Sequence, residues 1–189
     1  LGDVYKRQVY NCPKMTQFPM ALAKLPEMIS LNISNNSQWS AEEVYKGLDA
    51  IANGPAKEKL QILYVRDNNL REVPESFRNL KKIGLLDLAQ NQIETIHPLG
   101  KEVAPVKLYF DNNKLTSLPA DGNGLFCTMD DIETFSATYN KFTKFPNIFS
   151  AKSKFTIGEV DFSYNKIDGF EGEEDGTFRG LNLSLIHIS

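Results

Sequence analysis

Apolar residues recur along the chain at fixed offsets from a series of asparagines. Around Asn68, Asn91, Asn113, Asn140 and Asn165, the position five residues earlier holds Leu63, Leu86, Leu108, Phe135 and Val160. The position three earlier holds Val65, Leu88, Phe110, Ala137 and Phe162, and the position two later holds Leu70, Ile93, Leu115, Phe142 and Ile167. Five later stand Val73, Ile96, Leu118, Phe145 and Phe170. The stretch before each Asn alternates, which predicts a short strand with every second side chain turned inward. The asparagine carries both donor and acceptor groups, so within a turn it can satisfy backbone groups of its own and the neighbouring coil. Pro74, Pro119 and Pro146 close the stretch that follows and restrict the residue before them. Phe77 and Phe149, nine after their asparagines, supply bulk for the wider half of the coil.

Two further copies lie upstream. Asn36 follows Met28, Leu31 and Ile33 at the same offsets, but Gln38 takes the apolar position two later, so the turn there is altered. Earlier, Pro13-Lys-Met15-Thr-Gln-Phe18-Pro19 parallels Asn113-Lys-Leu115-Thr-Ser-Leu118-Pro119, with Pro13 in the asparagine's place and Leu22 nine after it. The spacings between positions 13, 36, 68, 91, 113, 140 and 165 are 23, 32, 23, 22, 27 and 25. The long gap predicts an insertion. Ser40-Ala-Glu-Glu43 reads as a capping box, and Val44, Leu48, Ile51 and Ala52 follow at helical spacing. Gly54-Pro55 is a stop signal. These features predict a helix over about Ala41–Asn53, within an insertion of about 39–55 packed on the side away from the strands, with Trp39 sealing it.

A unit that cannot bury its own apolar face, repeated every 20–30 residues or so, is stable only when stacked. The shared string is the L-x-L-x-x-N-x-L-x-x-L pattern, and through it the chain resembles the leucine-rich-repeat proteins. The resemblance implies an α/β fold: a right-handed leucine-rich-repeat solenoid of about six to seven repeats, with a parallel concave β-sheet and an irregular or helical convex side. Asn36, Asn68, Asn91, Asn113, Asn140 and Asn165 would then form a structural ladder. More narrowly, QILYVRDNNLREVP, VDFSYNKIDGFEG and TFRGLN resemble large leucine-rich-repeat surface proteins of gut Bacteroidetes. That likeness implies an exported protein at the bacterial cell surface or in the periplasm, lipid-anchored through a segment outside this stretch, with no enzymatic activity.

The two ends read differently. The first eight residues, LGDVYKRQ, resemble the translation of a sequencing-library transposase adapter, and residues 183–189, LSLIHIS, resemble that of its reverse complement. Such segments are set aside from fold reasoning, leaving 9–182 as a solenoid fragment of a longer protein. The formal net charge of the 189 residues is −3, and no basic patch stands out, which disfavours nucleic acid as a partner. No apolar run is long enough to span a bilayer.

Chemistry was sought along the chain as well. Cys12 and Cys127 are far apart and fit neither a disulfide framework nor a metal knuckle. Once the ends are set aside His97 is the sole histidine, so no H-E-x-x-H zinc site exists, and neither a phosphate loop nor a nucleophile elbow occurs. Gly122-Asn-Gly124 reads as a turn, and Glu171-Gly-Glu-Glu-Asp175-Gly as a solvated acidic loop without the ligand spacing of a calcium loop. The pattern thus predicts a chain that is no enzyme and takes no cofactor or metal.

What remains is the outward lattice on the strand face. Four before the asparagine stand Asn32, Tyr64, Asp87, Tyr109, Ser136 and Asp161. Two before stand Ser34, Arg66, Ala89, Asp111, Thr138 and Ser163, and one before stand Asn35, Asp67, Gln90, Asn112, Tyr139 and Tyr164. Tyrosine offers contact area, little entropy loss and a polar tip, while the acidic bias favours a partner rich in basic or hydroxyl groups. A binding face for a protein or glycan is therefore expected at Tyr64, Arg66, Asp67, Asp87, Tyr109, Asp111, Tyr139, Asp161 and Tyr164. Two other readings remain open: a structural spacer within a larger surface protein, or the targeting region of an enzyme whose catalytic domain lies elsewhere.

Overall fold

The computed structural model describes residues 5–100, 102–119, 131–146, 156–171 and 182–188. Cys127, Phe149, the Gly122–Gly124 turn and the acidic run beyond Glu171 lie outside them. Strands β1 (Lys6–Gln8), β2 (Ser30–Asn32), β3 (Ile62–Tyr64), β4 (Leu85–Asp87), β5 (Lys107–Tyr109), β6 (Asp131–Ser136), β7 (Thr156–Asp161) and β8 (Asn182–His187) form one sheet in chain order. Every neighbouring pair is parallel. Register places the inward residues in one row: Leu31, Leu63, Leu86, Leu108, Phe135 and Val160. All six are buried. The outer two strands fall in the segments resembling adapter sequence, and Arg7 stands in the row where the next four strands carry leucine.

Asn36, Asn68, Asn91, Asn113 and Asn140 are buried and Asn165 is half-buried, and they bind two coils at once. The Asn91 amide donates to Leu88 O and Ala89 O in its own coil and to Val65 O in the preceding one, at 2.8–3.2 Å. Its oxygen accepts from Asn68 N and Leu70 N. Asn113, Asn140 and Asn165 repeat this bonding on successive coils. In front of each, the chain turns through a left-handed residue: Asn35, Asp67, Gln90, Asn112, Tyr139 and Tyr164 all have φ between 53° and 60° apart from Asp67 at 50°.

The same two marks correct the alignment of the first copy. Asn11 has φ 50° and Cys12 N donates to the Asn36 side chain at 3.1 Å, so Cys12 and not Pro13 occupies the asparagine's place. Cysteine is an accepted alternative there. Met15 and Phe18 mimic the apolar spacing of the later copies, but Met15 is exposed.

The insertion is α1 (Ala41–Asn53), on the side away from the sheet. Ser40 accepts from Glu43 N at 3.2 Å, but the Glu43 carboxylate reaches Phe18 N in the preceding coil instead of closing the box. Val44, Leu48, Ile51 and Ala52 are buried. Gly47 lets the helix lie on the Phe18 ring: a Cβ there would stand 2.3 Å from it. Trp39 is buried edge-on to Phe18 and donates to Met15 O at 2.7 Å. Gln38 donates to the carbonyls of Cys12 and Met15, which is how an amide serves where other coils have an apolar residue. The detour interrupts the ladder, for the buried Asn68 oxygen has no partner. Tyr45 then ties α1 to the following coil, its hydroxyl accepting from Arg71 N and Glu72 N.

Candidate binding surface

Two groups of the expected residues stand apart, each assembled by the strand register. The first lies on the sheet. Tyr64, Asp87 and Tyr109 are direct neighbours on β3, β4 and β5. Parallel strands are about 4.8 Å apart, so the tyrosines are separated by roughly twice that, with Asp87 between them. Asp87 is only 4% exposed. It accepts from Ala89 N at 3.1 Å and from the Arg66 guanidinium at 3.2 Å. Burial holds its carboxyl above the usual carboxylate value, against the pull of the Ala89 amide and Arg66. Tyr64 and Tyr109 are half-buried, leaving two phenols beside a recessed acid and its arginine.

The other acids of the lattice are also engaged internally. Asp111 accepts from Ser136 Oγ, Thr138 N and Thr138 Oγ1 of the next coil. Asp161 accepts from Ser163 N at 2.8 Å. The Asp161 bond is of the local Asx type, whereas those of Asp111 tie one coil to the next. The acidic bias seen in the sequence therefore has a local structural use that side-chain counting alone could not show.

The second group sits where the chain leaves the sheet. Tyr139 and Tyr164 occupy the left-handed position on adjacent coils and stack face to face, centroids 4.2 Å apart and planes 8° from parallel. They are 50% and 61% exposed. Partial desolvation, with the neighbouring Tyr164, holds the Tyr139 phenol above its ordinary value. Asp67 has the left-handed conformation on a more N-terminal coil and stands apart from this pair.

Sequence reading passed over the position one after each asparagine. It holds Ser37, Asn69 and Gln92 on the N-terminal coils, then Lys114, Lys141 and Lys166. Their backbone amides bond to the preceding coil in the same way, Lys114 N to Ile93 O, Lys141 N to Leu115 O and Lys166 N to Phe142 O, so the three lysines stack on successive coils. Reading one more column of the alignment would have found them. His97 lies on the opposite side, where its Nε2 is 3.3 Å from Glu72. Among the described residues no group of three or more His, Cys, Asp or Glu could hold a metal, and no helix is long and apolar enough to cross a membrane.

A one-sheet stack of parallel strands, closed on successive coils by a ladder of asparagines and returned in part through helical or 3-10 arcs, defines a leucine-rich-repeat solenoid, and the chain belongs to the leucine-rich-repeat family. The family model described as Leucine Rich Repeat matches residues 59–80. A solved leucine-rich repeat protein from Bacteroides eggerthii is similar over 96% of this chain and 31% of its own, with TM-score 0.78 and 35% identity. Human lumican is 32% identical over 113 residues, 57% of this chain and 31% of lumican. Pig fibromodulin is 30% identical over 113 residues, 58% of this chain and 72% of the fibromodulin sequence. The chain thus spans about a third of the length of lumican and of the Bacteroides protein. Its fold and relatives support a repeat module of the binding type.

Proposed function

We propose that the chain is a non-catalytic recognition module of an exported bacterial surface protein, and that its concave face takes a protein or glycan ligand. The observation that carries this reading is the registered triplet on β3–β5: Tyr64 and Tyr109 flank Asp87, with Arg66 bonded to it. Aromatic side chains around fixed polar groups form the usual centre of a recognition surface. The strand backbone makes this centre rigid, so little ordering entropy is lost on binding.

The test is capture of ligands on protein and glycan arrays by the wild-type chain and by Tyr64→Ala/Tyr109→Ala. Loss of the captured species in the double variant, with an unchanged far-ultraviolet circular dichroism spectrum, supports the concave site. Unchanged capture removes it and favours the spacer reading.

A further inference from the structure

Tyr139 and Lys141 flank Asn140, and Tyr164 and Lys166 flank Asn165. The edge of the last described coils therefore carries two aromatic rings in one column and three lysines in the next. Both columns are unusual for this fold's own pattern. The left-handed backbone of the tyrosine column favours Asn, Asp or Gly and disfavours other side chains. Four of the coils before it carry Asn or Asp there, namely Asn11, Asn35, Asp67 and Asn112. Tyrosine at this position twice in succession holds strain that the fold does not need, and such strain points to a use for the side chain. In the second column Lys114 has Gln92 and Glu94 beside it, whereas Lys141 and Lys166 are exposed and have no ion-pair partner among the described residues. Like charges stacked at the coil spacing repel, and an anion laid along the column removes that repulsion.

We infer that this edge binds an acidic polysaccharide, its uronate carboxylates on Lys141 and Lys166 and its sugar rings against the Tyr139–Tyr164 stack. The inference rests on the reading of the chain as a recognition module, but places a site on the edge instead of the strands. A uronate polymer carries one carboxylate on every ring, so it offers the lysine column and the tyrosine column their partners together. The local acids choose between anionic polymers. Asp111 and Asp161 sit beside Thr138 and Ser163, the residues that precede the two tyrosines, and their described bonds all fall on Oδ1. Their second oxygens are left to accept a sugar hydroxyl, which a polyuronate offers on every ring and a deoxyribose-phosphate chain lacks. A nucleic-acid base cannot insert between the two rings, whose facing sides cover each other.

The experiment measures binding of the full chain to calcium-free polygalacturonate, to its neutral methyl ester and to oligothymidylate, over a series of salt concentrations. Polygalacturonate binds, weakening as salt rises, and the ester and oligothymidylate bind at least about tenfold more weakly, a difference of about 1.4 kcal/mol. Lys141→Ala/Lys166→Ala weakens polygalacturonate binding about tenfold and flattens its salt dependence. Tyr139→Asn/Tyr164→Asn places at both positions the residue that Asn112 already shows to be compatible with that backbone; it weakens binding about tenfold with the salt slope unchanged. Tyr64→Ala/Tyr109→Ala leaves polygalacturonate binding as it is. No binding by the wild-type chain, equal binding by the edge variants, or preference for oligothymidylate overturns the inference. Loss only in the Tyr64/Tyr109 variant also overturns it and leaves the concave site standing.

Discussion

The coils of β2–β4 and those of β5–β7 use one backbone device to build two different surfaces. Both close each strand with a left-handed residue and an asparagine bonded across two coils. The N-terminal coils fill their interior with Leu, Ile, Val and Met and cover it with α1 and Trp39. The C-terminal coils fill theirs with rings: Phe162 lies 5.1–5.6 Å from Phe135, Phe142 and Phe145. Strands lengthen from three residues in β2–β5 to six in β6 and β7. Outside, a neutral or acidic Asn/Asp/Gln edge gives way to Tyr and Lys. The interior is dictated by stacking, so it tolerates a change of side-chain type without a change of register. The exterior is unconstrained by stacking, and a departure from the common polar residues there is informative about binding.

If the ring core is the stiffer of the two, Phe162→Ala has the largest effect of any single change considered. Truncating a buried phenylalanine costs about 3–5 kcal/mol, and here it removes one ring contact from each of Phe135, Phe142 and Phe145. Leu63→Ala on β3 falls in the lower part of a 2–5 kcal/mol range, because α1 and Phe77 border a more deformable aliphatic core. Urea denaturation of both variants decides it; a Leu63→Ala loss equal to or above that of Phe162→Ala abolishes the energetic contrast. Stacked coils interact chiefly with their neighbours, so amide exchange in Phe162→Ala accelerates around β6–β7 before β2–β3.

The ladder ranks next. Asn91→Ala leaves Asn68 N, Leu70 N and Val65 O without their bonds, while Leu88 O keeps its bond from Asn113 and Ala89 O its bond from Asp67 N; each buried group so orphaned costs about 1–3 kcal/mol unless water reaches it. A total of about 3 kcal/mol is expected by thermal denaturation. Asn68→Ala costs less, since its oxygen already lacks a partner beside the insertion. Equal losses at the two positions would show that the interrupted coil is held as firmly as the regular ones. The helix contributes less still: Ser40→Ala removes the Glu43 N acceptor and costs about 1 kcal/mol.

The repeat, the helix and nearly every buried row were legible because stacking imposes a strict period, which the sequence must show. The first coil was misplaced by one residue because Pro13 and Phe18 mimic the apolar spacing of later copies, while the marks that settle it, the φ of Asn11 and the bond from Cys12 N, are backbone facts. The lattice of outward residues could be tabulated, yet the use of each could not. Asp87, Asp111 and Asp161 read as free acids, but all three are hydrogen-bonded within the sheet. Lys141 and Lys166 stand one column beyond the lattice tabulated from the sequence, and the coil stacking sets them in line.

The smallest effect separates the halves by the sign of their pH response. Asp87 is held above the ordinary carboxylate value of 3.8, mainly by burial, so the folded chain binds its proton more tightly than the unfolded one. By linkage, that contribution to stability is fully present below the unfolded value and is lost as pH rises through the raised folded value. Asp168 is held below 3.8, first by its hydrogen bond from Lys144 and then by that lysine's charge. Its contribution is present above the unfolded value and is lost as pH falls through the lowered one. Melting temperatures from about pH 3 to 6, a window that brackets ordinary carboxylates, therefore move apart in the two variants. Relative to the wild-type chain, Asp87→Asn gains stability as pH rises, because the amide still accepts from Ala89 N without a buried charge. Asp168→Asn loses ground over the same rise, and by less, because the Lys144 pair is exposed and screened. Differences of the same sign in both variants would mean that Asp87 ionises without resistance beneath Tyr64 and Tyr109, and that the triplet on β3–β5 is as wet as the lysine column on the C-terminal edge.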